Sequence, residues 1–200
     1  MLLTGCLFWQ GCSQSDPMYG LYSGTLPALE TGSGSMTTPI SLFITMKEDA
    51  VEAGGTIYPL EKASGGDARD RYFTEFPLQE GITVTSIVYD RVGQWIELGL
   101  EETEASVRLY RFEEMISRKV EEFAMVDLTA DISHLTLSQK EMLGYLFRVS
   151  DIMDRIYWQE VFPEKEAVMN SYVNEDVLRF IQFNYGPWER LNGNLPFLPG

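Results

Sequence analysis

The chain has 200 residues, 15 basic and 30 acidic side chains and a formal net charge of −15. An apolar fraction of 44% with 22% charged residues excludes wholesale disorder, and the length suits one or two domains. Residues 1–112 carry 7 basic and 15 acidic side chains and residues 113–200 carry 8 and 15, so no basic patch exists to drive nucleic-acid binding or attraction to anionic lipid.

At the N-terminus, Leu3-Thr4-Gly5-Cys6 resembles the bacterial lipobox, in which small residues precede a cysteine whose thiol accepts diacylglycerol. Cys12, in Trp9-Gln10-Gly11-Cys12, is the alternative, and its polar Ser13-Gln14-Ser15-Asp16-Pro17 tail reads as a tether. Only Met1 to Leu3 precede Cys6 as apolar segment, without Lys or Arg, which implies a late start or a truncated frame. The competing reading is a pair of ordinary buried cysteines or a disulfide. The resemblance implies a lipid-anchored protein facing the periplasm of a bacterial envelope, held by acyl chains worth about 0.8 kcal/mol per buried methylene. No stretch of about 20 apolar residues offers a transmembrane helix instead.

Residues 19–112 read as β-structure. Apolar runs occur at 19–26, 40–44, 56–58, 71–76, 82–89, 94–98 and 107–112, several with period-two alternation and separated by Gly, Pro or Asp. Six to eight short strands with close turns predict a small antiparallel β-barrel or sandwich.

The pattern changes at Glu113. Residues 113–124 have helical spacing through Met115, Ile116, Val120 and Phe123. Ser138 and Glu141 read as a capping box for a helix running to about Phe162, with an apolar stripe of Met142, Leu143, Leu146, Phe147, Ile152, Met153, Ile156 and Tyr157. A helix of that length, about 36 Å, needs a broad partner surface. Pro163 is expected in the first turn of a short helix, and Asn174 caps another that stops at Gly186-Pro187. The fold class is therefore α+β, a small barrel or sandwich followed by an incomplete all-helical segment. The divisions are a signal remnant and tether at 1–18, a β-domain at 19–112 and a helical segment at 113–200.

Few side chains qualify for catalysis. His134 is the only histidine, and a single imidazole cannot build the histidine pair of most zinc sites. Gly32-Ser33-Gly34-Ser35 lacks the lysine and the strand-to-helix context of a phosphate loop and reads as a turn. The acidic pairs Glu101-Glu102 and Glu121-Glu122 fit solvated turns and helix faces. No catalytic or metal-binding residue is assigned. Tyr157, Trp158, Phe162, Phe180, Phe183, Tyr185 and Trp188 form a dense aromatic set that serves as core between two helices or, at its edge, as a cleft. In the cleft reading, Asn184, Tyr185, Trp188 and Arg190 form its wall, just past a helix end.

Residues 126–200 resemble bacterial zinc hydrolases of the dipeptidyl-peptidase III type. The resemblance lies in Asp127-Leu128-Thr129-Ala130-Asp131-Ile132-Ser133-His134-Leu135, Asp151-Ile152-Met153-Asp154-Arg155-Ile156-Tyr157-Trp158-Gln159 and Asn184-Tyr185-Gly186-Pro187-Trp188-Glu189-Arg190-Leu191 with Pro196-Phe197. It implies a mainly helical lobe of a two-lobed peptidase with a peptide substrate between the lobes. The family's zinc-binding H-E-x-x-x-H helix and later glutamate do not occur here, so zinc is expected outside this chain, which then is an N-terminal portion inactive alone.

The β-domain resembles, through Tyr22-Ser23-Gly24-Thr25-Leu26-Pro27 and Ile40-Ser41-Leu42-Phe43-Ile44, the barrel of NlpE-type copper-homeostasis and envelope-stress lipoproteins. Where that family carries C-x-x-C, this chain has Ala28-Leu29-Glu30-Thr31. The rival expectation is therefore a complete, non-catalytic envelope lipoprotein whose barrel binds a ligand or partner.

Overall fold

The computed structural model describes residues 16, 18–30, 36–66, 68–79, 81–101 and 105–199. Among the described residues, nine strands form one antiparallel sheet that nearly closes into a barrel, and four helices follow in the chain. The strands are β1 (Gly20–Leu26), β2 (Ile40–Lys47), β3 (Ala50–Ala53), β4 (Thr56–Pro59), β5 (Glu61–Gly65), β6 (Arg69–Gln79), β7 (Ile82–Asp90), β8 (Trp95–Leu100) and β9 (Ser106–Arg111). Their order across the sheet is β4-β3-β2-β1-β9-β8-β7-β6-β5. The two outermost strands, β4 and β5, are thus neighbours in sequence, separated by Leu60 alone, which brings the sheet's edges together.

Contacts divide the chain into two compact units, one of residues 1–22, 29–37 and 43–109, the other of 23–28, 38–42 and 110–200. The first is built on alternation. Along β6, Asp70, Tyr72, Thr74 and Phe76 point inward while Arg69, Arg71, Phe73 and Glu75 face solvent. Ile44, Met46, Val51, Val84, Ile87, Tyr89, Ile96 and Leu98 complete a filled interior.

Two short strands, β3 and β5, escape the sequence reading. β5 (Glu-Lys-Ala-Ser-Gly) is exposed throughout and has no apolar alternation. It pairs with β6 through the backbone and through an ionic clamp on the buried Asp70 carboxylate, which meets the half-exposed Lys62 at 2.8 Å and Arg91 at 2.6 Å. Gly65 is required there, because a Cβ would lie 2.4 Å from the Asp70 carboxylate. Beside the clamp, Asp90 accepts the Val92 and Gly93 amides and pairs with Arg69 at 2.9 Å, fixing the β7–β8 turn. Trp95 lies under two guanidinium groups, Arg108 at 3.9 Å and Arg69 at 5.2 Å.

The second unit holds α1 (Phe112–Glu121), α2 (Leu137–Val161), α3 (Lys165–Ser171), α4 (Glu175–Asn184) and a two-stranded ribbon, β10 (Trp188–Glu189) with β11 (Leu195–Pro196). Helices α1 and α4 pack through Phe112, Ile116 and Val120 on one and Val177, Phe180 and Ile181 on the other, spacings that align on one helical face. Ser117 donates to Asp176 at 2.7 Å and Lys119 pairs with Glu189 at 2.6 Å, tying the same elements together.

Two local expectations are corrected. The capping box of α2 is Thr136 with Gln139, not Ser138 with Glu141. Thr136 is extended (φ −65°, ψ 163°), so its hydroxyl meets the Gln139 amide while the Gln139 side chain takes the Thr136 amide; Ser138 is already inside the helix. Pro163 precedes α3 rather than starting it. Helix α4 starts after Asn174 and ends at Asn184 before Gly186-Pro187, as expected; Tyr185 takes the left-handed region (φ 53°), and Gly186 donates back to the Ile181 carbonyl at 3.1 Å.

Helix α2 is the unusual element. It spans 25 residues and buries one of them, Trp158. Met142, Leu146, Val149, Met153 and Ile156 recur at i, i+4, i+7, i+11 and i+14, forming one apolar stripe, and every one is exposed, Met153 to 58%. Most helical stability in proteins comes from burying such a face. Here it comes from the cap and from one anchored end.

Candidate functional site

The anchored end of α2 is where the proposed cleft-wall residues fall. Asp154 lies one turn before Trp158 on the same helical face, and Tyr157 adjoins it. The Tyr185 ring stacks on Trp158 with centroids 5.0 Å apart and meets Tyr157 edge to face at 5.4 Å. The Lys165 ammonium lies over the Trp158 ring at 3.8 Å.

Tyr185 reaches this position because the α4 backbone turns left-handed there. A non-glycine residue at that conformation carries a cost, offset by stacking on Trp158. Gly186, which follows, has φ 145°, and a Cβ on it would press 3.0 Å against the Trp188 ring. That close approach lets Pro187 and Trp188 turn back, and Trp188 packs against Phe162.

Asn184 organises the corner from within. It is 2% exposed; its amide donates to the Phe180 carbonyl at 2.9 Å and its oxygen accepts the Arg190 backbone amide at 3.0 Å. The Arg190 side chain then donates from Nε to the Asn184 carbonyl at 2.8 Å and from Nη2 to the Tyr157 hydroxyl at 2.9 Å. The guanidinium is thereby fixed at two positions by neutral acceptors. On the other side of the corner, the Asp154 carboxylate accepts from the Tyr185 hydroxyl and raises its pKa above the ordinary phenol value.

The structure therefore brings Asn184, Tyr185 and Arg190 into one constellation, with Trp188 packed behind the turn. Asn184 is a scaffold residue, because both ends of its amide are spent on backbone groups. Sequence reasoning missed Asp154 and Lys165, and it placed Tyr157 in the apolar stripe and the aromatic set but not in the cleft wall. The available signal was the helical spacing that puts Asp154 and Tyr157 beside Trp158.

Cys6, Cys12 and the Gly32–Ser35 turn lie outside the described residues, as does Glu102. His134 is exposed. Among the described residues, no three His, Cys, Asp or Glu side chains converge. No helix among them is long and apolar enough to cross a membrane. Comparison with models of protein families, with curated proteins and with solved structures returns no match.

Proposed function

We propose that this chain supplies one wall of the peptide cleft in a lipid-anchored, zinc-dependent, peptidase-like hydrolase of the bacterial envelope. In chain order an acyl anchor on Cys6, or alternatively Cys12, precedes the barrel, and the helical unit contributes the wall. The zinc ion and the base that acts with it belong to polypeptide beyond these 200 residues, so this chain hydrolyses nothing alone.

One observation carries the reading. Helix α2 leaves its apolar stripe from Met142 to Ile156 exposed and ends at the Tyr157–Tyr185–Arg190 corner. Exposed apolar stripes of this extent mark surfaces that other polypeptide covers. The phenols and guanidinium at the end supply the mixed apolar and polar lining of a ligand wall.

Thermal unfolding of the isolated chain, followed by circular dichroism with a hydrophobic dye present, tests this. The account expects dye binding to the native chain and an early loss of helical signal ahead of the barrel. One cooperative transition with no dye binding contradicts it.

The second reading, a non-catalytic envelope lipoprotein whose barrel binds a ligand or partner, draws on a different place. A shallow groove is lined by Pro59, Glu61, Phe73, Thr74, Glu75 and Thr85. Phe73 is exposed there, beside the Glu61 and Glu75 carboxylates.

A further inference from the structure

We propose that Arg190, flanked by Tyr157 and Tyr185, recognises the carboxylate of a peptide-like ligand whose neighbouring apolar side chain rests on the two phenol rings. The inference rests on the reading of this face as a peptide-cleft wall and names the ligand group it takes.

A guanidinium has five N–H donors in a planar fork. Nε is spent on the Asn184 carbonyl and one Nη2 hydrogen on the Tyr157 hydroxyl. Arg190 is exposed, and its Nη1 edge and second Nη2 hydrogen have no partner among the described residues. No carboxylate of the described residues pairs with Arg190, in a chain with 30 acidic against 15 basic side chains. An arginine meant only to hold the fold here would have had carboxylates in abundance to pair with. It is held instead by neutral acceptors that keep its charge for something else.

Rigidity adds to the argument. The Arg190 backbone is pinned by the buried Asn184 side chain, so little rotamer freedom is lost when an anion arrives. Tyr157 and Tyr185 are 39% and 40% exposed and meet edge to face, offering an aromatic shelf beside the free edge of the fork. Lys165 over Trp158 adds a second positive charge to the same cluster. A planar carboxylate with an apolar neighbour matches this set, since arginine takes carboxylates through two parallel N–H bonds.

The site is complete within Asp154 to Arg190, so the full 200-residue chain is the material for the test. The probes are N-acetyl-Ala-Ala-Phe with a free C-terminal carboxylate and the same peptide as its amide. The readout is the indole N–H resonance of Trp158. The acid is expected to bind about tenfold tighter than the amide, the scale of one charge-assisted contact. Arg190→Gln should erase that difference. Arg190→Lys, which keeps charge without the fork, should restore only part of it. Tyr157→Phe, which frees Nη2 but leaves the guanidinium, should reduce the preference a few-fold and guards against a misfolded Arg190 variant. Equal binding of acid and amide overturns the carboxylate assignment and leaves the cleft-wall reading standing. An acid preference that survives Arg190→Gln also overturns the assignment. If neither peptide moves the Trp158 resonance at about 10 mM, both the assignment and the cleft-wall reading fail.

Discussion

Arg190 donates from Nη2 to the Tyr157 hydroxyl at 2.9 Å, joining positions 33 residues apart. The link fastens the end of a long helix to the ribbon that follows α4. The same arginine donates its other fixed bond from Nε to the Asn184 carbonyl, so one buried asparagine supports the whole corner.

Replacing that asparagine tests the support. Asn184→Ala removes the bonds to the Phe180 carbonyl and the Arg190 amide and leaves both backbone groups short of a partner. The expected loss is about 2–3 kcal/mol in the helical unit, read as a shift of the urea midpoint with an unchanged slope. Asn184→Asp should cost a similar amount, since a carboxylate cannot donate to the Phe180 carbonyl. A loss below about 0.5 kcal/mol would remove Asn184 from the account.

Acid should weaken the barrel through Asp70. Burial pushes this carboxyl up, yet the hydrogen bonds and charges of Lys62 and Arg91 prevail and hold it below the usual carboxylate range. A group with a depressed folded pKa contributes stability that is fully present above its unfolded value of about 3.9 and lost as pH falls through the folded value. Stability should therefore fall below about pH 4, and Asp70→Asn should flatten that limb. At neutral pH the variant should lose about 1–2 kcal/mol, because Lys62 and Arg91 are half exposed and partly screened. Urea midpoints across pH 2 to 7 measure both effects.

The N-terminal end of α2 depends on its cap. Thr136→Ala removes the hydroxyl that meets the Gln139 amide and should fray the first turns of the helix, at a cost of about 1 kcal/mol. Ser138→Ala should be nearly silent. Amide exchange of residues 137–141 separates the two, and equal protection in both variants would contradict the observed cap.

Much of the barrel was legible because alternation reports directly on burial, as in β6 from Asp70 to Phe76. β5 was not, because Glu61 to Gly65 buries nothing and is held by the backbone and by Lys62 on Asp70. The α2 cap was displaced by two residues because Thr136-x-x-Gln139 and Ser138-x-x-Glu141 satisfy the same pattern, and only backbone geometry distinguishes them. At the corner, the aromatic and polar residues after α4 were readable from the helix stop at Gly186-Pro187. The participation of Asp154 and Lys165 was not, since tertiary contacts bring them there, and Tyr157 was legible as an aromatic neighbour but not as the acceptor for Arg190. Periodicity also told of an apolar stripe on α2 without telling what lies against it.

The apolar stripe itself can be challenged. Leu146→Glu with Met153→Glu places two charges on an already exposed face, so the isolated chain should keep its thermal midpoint within about 2 °C while losing most of its dye binding. A large fall in the midpoint would mean that the face is packed in solution.

Intact mass and metal content of the native protein, extracted from the membrane fraction of its source, decide whether this chain is one wall of a zinc peptidase. The expected species is acylated, carries zinc and is far heavier than the 22.8 kDa of this chain. A zinc-free species at about 22.8 kDa plus acyl chains would contradict that reading and favour a barrel-based binding lipoprotein.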